Sequence, residues 1–157
     1  MMRLRQGRGI TMRVGVIVAS HGEFARAALG SVEMVAGPQQ DVRALALTAD
    51  KSAETFEAEF AQAYAELKSE CDLIVTICDI HGGTPFNVIS RSILKGMDMV
   101  AFTGLSLPVL IELLLSRDQA SSADEIRELI EAAHAQTLAE IKVEMAQGSS
   151  DEDDLDL

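Results

Sequence analysis

The run Val14-Gly15-Val16-Ile17-Val18-Ala19 constrains this chain more than any other stretch, because it is apolar at every position instead of at every second one. A strand with one wet face alternates, whereas a continuous β-branched run is a parallel strand covered on both faces. Such a strand needs helices above and below it, and ligands in open α/β sheets bind just beyond the carboxyl ends of the strands. Here the run gives way to Ser20-His21-Gly22, so an imidazole stands at the position where this architecture places its chemistry.

The rest of the chain repeats the alternation of strand and helix. A helix is expected over 23–36, stopped by Gly37-Pro38, and a short strand over 42–47. Residues 52–69 form an amphipathic pattern with Phe56, Phe60, Ala63, Tyr64 and Leu67 on one stripe, which reads as core. A third apolar strand follows over 73–78, then a helix over 85–94, a fourth strand over 99–103 and a helix over 108–116 with Pro at its first turn. Ser122-Ala123-Asp124-Glu125 is a capping box that opens a long helix, in which His134 is a surface or packing residue. Near the end, Ile141, Val143 and Met145 alternate with Lys142 and Glu144, which reads as a strand from about residue 140, although 137–146 also tolerates a helix. This succession requires a mainly parallel, doubly wound sheet of order 2-1-3-4 with right-handed crossovers.

At 157 residues the chain is expected to form one domain, over 12–147. Residues 1–11, with Arg3, Arg5 and Arg8 ahead of a second methionine at Met12, read as a disordered leader. Residues 148–157 read as a disordered acidic tail, since Asp151, Glu152, Asp153, Asp154 and Asp156 repel one another.

Charge narrows the function. The 13 basic and 25 acidic residues give a formal net charge of −12, which opposes nucleic acid and anionic membranes. No run has the length of a membrane span and no apolar signal core opens the chain, so a cytoplasmic protein is expected. Cys71 and Cys78 have no metal-ligand spacing and read as reduced, inert thiols; no metal and no cofactor are expected. The absence of Trp leaves little to stack a base or a sugar on.

The third strand ends in Asp79-Ile80-His81-Gly82-Gly83-Thr84-Pro85-Phe86-Asn87. Thr84 suits a helix N-cap and Pro85 the first helical position. Gly82 and Gly83 let the backbone approach a ligand, and the free amides of the helix start make an anion site. Strands 1 and 3 are neighbours at the switch point of a 2-1-3-4 sheet, so His21 and Asp79 converge beside this turn. One ring nitrogen of a neutral imidazole attacks phosphorus while the other keeps its proton, and Asp79 would hold that proton and steady the developing charge. Without a carboxylate cluster or lysine beside it, direct transfer from a nucleotide is disfavoured.

Ser20-His21-Gly22 paired with Asp79 and Gly82-Gly83-Thr84-Pro85-Phe86-Asn87 resembles the enzyme IIA component of the mannose family of the bacterial phosphoenolpyruvate:sugar phosphotransferase system, over Met12 to about Ala146. The resemblance implies a flavodoxin-like α/β fold and a phosphocarrier that accepts a phosphoryl group on Nε2 of His21 from the phosphocarrier protein HPr. It implies that the group then passes to a histidine of a IIB component, with Asp79 on the other ring nitrogen and Gly82, Gly83 and Thr84 around the phosphate. It further implies a homodimer whose antiparallel last strand is exchanged between subunits, which would be the segment near residue 140, and membrane contact only through the IIC/IID complex.

The chain departs from that family at His81, where relatives commonly carry a large apolar or aromatic residue; here it reads as a rim or packing residue. No Ala/Pro-rich linker and IIB domain follow, so a free-standing IIA subunit is expected. Other classes fit less well. A histidine phosphatase needs an arginine where Ser20 stands, a flavodoxin-like electron carrier needs hydroxyls after the first strand and aromatic flanks, and a receiver domain needs acids there for Mg²⁺. The alternatives that remain are the phosphocarrier subunit of a phosphotransferase-dependent dihydroxyacetone kinase and a regulatory module that senses phosphorylation.

Overall fold

The computed structural model describes residues 3–5 and 8–145; residues 148–157, read above as an acidic tail, lie outside them. Within residues 1–11, read above as a disordered leader, β1 (Arg3–Arg5) and β2 (Arg8–Thr11) pair as an antiparallel ladder of their own. The domain proper runs β3 (Val14–His21), α1 (Phe24–Ala36), β4 (Val42–Leu47), α2 (Ala53–Glu70), β5 (Leu73–Cys78), α3 (Gly83–Leu94), β6 (Val100–Thr103), α4 (Leu107–Ser116) and α5 (Ala123–His134). Its sheet is parallel in the order β4-β3-β5-β6, which is the expected 2-1-3-4 of the four predicted strands.

Both faces of β3 are buried, which explains the unbroken apolar run. Val14, Val16 and Val18 join Val75 and Ile77 on one face, beneath α1, α4 and α5. Ile17 and Ala19 face the other way with Ile74 and Cys78, against Phe56, Phe60 and Leu67 of α2 and Val88 of α3. Each large side chain so buried stabilises the fold by roughly 2 kcal/mol relative to exposure. Tyr64, within the α2 stripe, is half-buried, because its hydroxyl reaches out to donate to the Asp98 carbonyl at 2.9 Å. Cys71 and Cys78 are buried and free, and burial pushes the Cys78 thiol up to about 11.

The capping box holds with one change. Ser122 Oγ accepts the Glu125 amide at 3.2 Å, but the Glu125 carboxylate reaches back to the Ser121 amide and hydroxyl, at 2.7 and 2.9 Å. The segment expected as a last strand has no ladder partner among the described residues. Its Leu138, Ile141, Val143 and Met145 are 95, 93, 85 and 83% exposed. Among the described residues no helix is long and apolar enough to cross a membrane.

At the amino ends of the strands, a brace absent from the sequence reading holds β3 and β4 together. Asp41 sits in the left-handed region at φ 57°, and its backbone carbonyl accepts the Val16 amide at 2.9 Å. Arg13 grips its carboxylate with two bonds of 2.8 Å, and the buried Arg117 donates to the carbonyls of Val14, Gln40 and Asp41. The Arg13 hydrogen bonds hold the Asp41 carboxyl below its ordinary value, against a smaller opposing effect of burial. A depressed carboxyl adds stability above the unfolded carboxylate range and loses it as pH falls through the folded value. Asp41→Asn keeps a residue tolerant of that backbone while removing the charge. Its melting temperature should therefore fall below that of the wild type at pH 7, with the gap closing once the pH drops below about 4. A gap of the same size at pH 7 and pH 3 in thermal denaturation would refute the role of the charge.

Candidate functional site

The pairing register brings the carboxyl ends of β3 and β5 level, with Ala19 opposite Cys78. His21 closes β3 two residues later, and Asp79 follows β5 directly, its amide donating back to the Ala19 carbonyl at 3.2 Å. The chain then turns at Gly22, at φ 56°, whose amide donates to the Leu47 carbonyl of β4 at 2.8 Å. His21 is thus tied to strands on both sides, while its side chain stays 45% exposed.

One carboxylate organises the ring. Asp79 Oδ2 accepts the His21 amide at 2.9 Å and lies 2.8 Å from Nδ1, while Oδ1 accepts the Ile80 amide at 2.9 Å. Burial pulls the Asp79 carboxyl upward, but the bonds from the His21 amide, the His21 ring and the Ile80 amide together outweigh it and hold the group below its ordinary value. An ionised carboxylate only accepts, so the ring proton belongs on Nδ1 and Nε2 keeps its lone pair. The Asp79 carboxylate is thus placed where it can orient the His21 ring.

Nε2 points at the start of α3. A β-carbon built on Gly83 would stand 2.9 Å from Nε2, closer than real β-carbons essentially ever come to a neighbour, and 3.0 Å from Cε1. Gly82 and Gly83 have φ of 84° and 82°, and these two left-handed residues swing the chain into the helix earlier than expected. Gly82 takes the cap position and Gly83 is the first helical residue. Thr84 is therefore the second residue of the helix and not its N-cap; Pro85 stays within the first turn, where its missing amide costs nothing.

The consequence is an uncapped helix end beside a bare nitrogen. Ser52, Ser106 and Ser122 cap α2, α4 and α5 with their hydroxyls, whereas α3 has no side-chain cap and no acid in its first turn. Its leading amides, from Gly83 and Thr84, point out of the helix with the positive end of the macrodipole behind them. Such a terminus suits an anion. Together the parts suit nucleophilic attack by Nε2 on an anionic electrophile, with Asp79 opposite and the α3 amides around the oxygens.

The other histidines lie apart from this arrangement. His81 is exposed and packs its ring on Phe86, centroids 4.3 Å apart and planes tilted by 41°. His134, exposed at the end of α5, lines a hollow with Ile77, Phe102, Thr103 and Ile130, between the sheet and α5. The described residues contain no cluster of three or more His, Cys, Asp or Glu able to hold a metal ion. The sequence reading names Ser20 and Gly83 but not two of their roles: Ser20 as a brace of the loop, and Gly83 as the position that gives Nε2 its clearance. The adjacency of Ser20 to His21 inside an apolar run was the available signal for the first; the second had none beyond the glycine pair.

Residues 15–149 match the family model described as the PTS system fructose IIA component. The chain is 29% identical over 115 residues to the mannose-specific EIIAB component of the phosphotransferase system of Escherichia coli K12, covering 73% of this chain and 35% of that protein. It therefore spans about a third of the length of that relative. It is 28% identical over 116 residues to the fructose-specific EIIA component of Bacillus subtilis 168, covering 74% of this chain and 79% of that one. Its fold superposes on the mannose/sorbose-specific IIA subunit of the phosphotransferase system from Enterococcus faecalis with a TM-score of 0.72 at 25% identity, over 86% of this chain and 99% of that one.

Proposed function

The chain belongs to the PTS system fructose IIA component family, and we propose that it is a phosphocarrier in which Nε2 of His21 takes a phosphoryl group from phospho-HPr and passes it to a histidine of a IIB component during sugar uptake. The observation that carries this reading is the polarity of the His21 ring: Nδ1 is 2.8 Å from the Asp79 carboxylate, and Nε2 faces the uncapped start of α3.

In the loading step the Nε2 lone pair forms a bond to phosphorus as the phosphorus–nitrogen bond of the donor breaks, its electron pair leaving on the donor imidazole. His21 then carries positive charge shared over a ring whose Nδ1–H is held by Asp79, which steadies that charge. The amides of Gly83 and Thr84 receive the negative charge of the phosphoryl oxygens. Delivery to IIB is the same displacement run in the other direction, with the IIB imidazole as nucleophile. No part of this requires a metal or a cofactor. Incubation with phosphoenolpyruvate, enzyme I and HPr should yield one acid-labile phosphoryl group per chain; a chain that stays unlabelled while HPr is phosphorylated would overturn the reading.

We place this carrier in the cytoplasm, with the membrane reached only through the IIC/IID complex, and as a homodimer. The exposed, alternating Ile141, Val143 and Met145 support the dimer, since such a segment needs a sheet edge and β6 has one side unpaired among the described residues. Chains ending at Ala139 should lose the dimer, whereas chains lacking only residues 148–157 should keep it. Size-exclusion chromatography with light scattering distinguishes the two, and a stable dimer without residues 140–157 would exclude exchange of this segment.

A further inference from the structure

Ser20 is the penultimate residue of β3, whose positions from Val14 to Ala19 carry no polar oxygen or nitrogen on a side chain, and it is fully buried. A hydroxyl in that setting destabilises unless it is bonded. Its Oγ accepts the Ala25 amide at 2.7 Å and donates to the Gly22 carbonyl at 3.4 Å. Both partners belong to the loop that carries His21: Gly22 follows the histidine, and Ala25 is the second residue of α1. From inside the core, the hydroxyl closes a ring around residues 20–25. Glu23, in the cap position of α1, gives that helix no side-chain cap of its own.

The backbone around His21 has two other ties, the His21 amide on Asp79 and the Gly22 amide on Leu47, at 2.9 and 2.8 Å. Both fix amides. Ser20 is what meets the Gly22 carbonyl, on a glycine free of any side chain to limit its rotation. The ring leaves little room for error, because Nδ1 must stay within bonding distance of Asp79 while Nε2 passes close to Gly83. Misplacement of a reacting atom by about 1 Å lowers rates by up to about a hundredfold.

Taking His21 as the phosphoryl acceptor, as proposed above, we infer that Ser20 is a positioning residue whose buried hydroxyl, bonded to the Ala25 amide and the Gly22 carbonyl, sets the His21 ring in its attacking orientation. It touches neither the phosphoryl group nor a partner protein; it acts through the loop.

The test uses the full chain with Ser20→Ala, Ser20→Thr and, as a matched control, Ser122→Ala. Ser122 performs the same capping chemistry for α5, accepting the Glu125 amide at 3.2 Å, next to the amino end of the sheet. Rapid-quench transfer from phospho-HPr over a range of donor concentrations gives the maximum rate and the donor KM. Proton NMR of the unphosphorylated chain follows the Nδ1 proton held between His21 and Asp79. Ser20→Ala should lower the maximum rate roughly tenfold at unchanged KM and shift or broaden the Nδ1 signal. Ser20→Thr should restore both. Ser122→Ala should lower the melting temperature and leave rate and signal as in the wild type. A Ser20→Ala chain with wild-type rate and wild-type Nδ1 signal, and only a lower melting temperature, would reduce Ser20 to a helix cap while leaving His21 as the acceptor. A wild-type chain that takes no phosphoryl group would overturn the acceptor itself, and an unchanged Nδ1 signal in Ser20→Ala would then overturn the positioning role independently.

Discussion

His21→Ala should abolish phosphoryl loading and leave the fold almost as stable as before. The side chain is 45% exposed at the last position of β3, so its removal opens little cavity. More telling is what happens to Asp79, whose carboxylate would be costly to strand with its side chain only 11% exposed. It is not stranded, because the amide of residue 21 still donates to Oδ2 and the Ile80 amide still donates to Oδ1. The stability change should therefore stay within about 1 kcal/mol. Loading should fall to background, since the remaining histidines lack the paired carboxylate: His81 packs on Phe86, and His134 lines a hollow with Phe102 and Ile130. The measurement is phosphoryl incorporation from phospho-HPr beside a thermal melt of the same preparation. Label that persists in a folded His21→Ala chain would move the acceptor to another residue, and mapping it would say which.

The pairing of His21 with Asp79 was legible in the sequence because it follows from a single fact about β3. An unbroken apolar run must lie between two strands of a parallel sheet, and the residues just past such neighbours meet by geometry. The four-stranded order follows from the same crossover rules, and the buried face of α2 from helical periodicity. What the sequence did not disclose are contacts decided by backbone direction. Asp41 and Arg117 are far apart along the chain, and nothing in the local pattern of either announces a left-handed aspartate whose carbonyl meets a buried guanidinium. Thr84 and Pro85 look like a cap and a first helical residue, but the left-handed φ of Gly82 and Gly83 starts the helix at Gly83. For residues 141–145 the alternation specifies a strand-like pair of faces and is silent about which edge receives it, because pairing is a property of the partner.

The two glycines of the turn separate backbone freedom from clearance, and replacing each in turn should give unequal results. Gly82 and Gly83 both have positive φ, 84° and 82°, so a β-carbon strains the backbone at either place, and Gly82, with ψ of 170°, lies where essentially only glycine is found. The space around them differs. A β-carbon at Gly82 meets nothing within 4 Å, whereas one at Gly83 stands 2.9 Å from Nε2 of His21. Relief at Gly83 requires the imidazole to turn, and turning stretches the 2.8 Å bond from Nδ1 to Asp79. The intruding methyl also occupies the face of Nε2 to which phosphorus must come. Gly82→Ala should keep most of its transfer rate despite a lower melting temperature. Gly83→Ala should lose roughly a hundredfold or more in transfer from phospho-HPr, whatever its melting temperature. Equal losses in the two variants would mean that only the shape of the turn matters. That result would remove Nε2 clearance as the reason for a glycine at position 83, whereas a larger loss at Gly83 than at Gly82 would support attack from Nε2, the nitrogen of His21 that the new methyl meets.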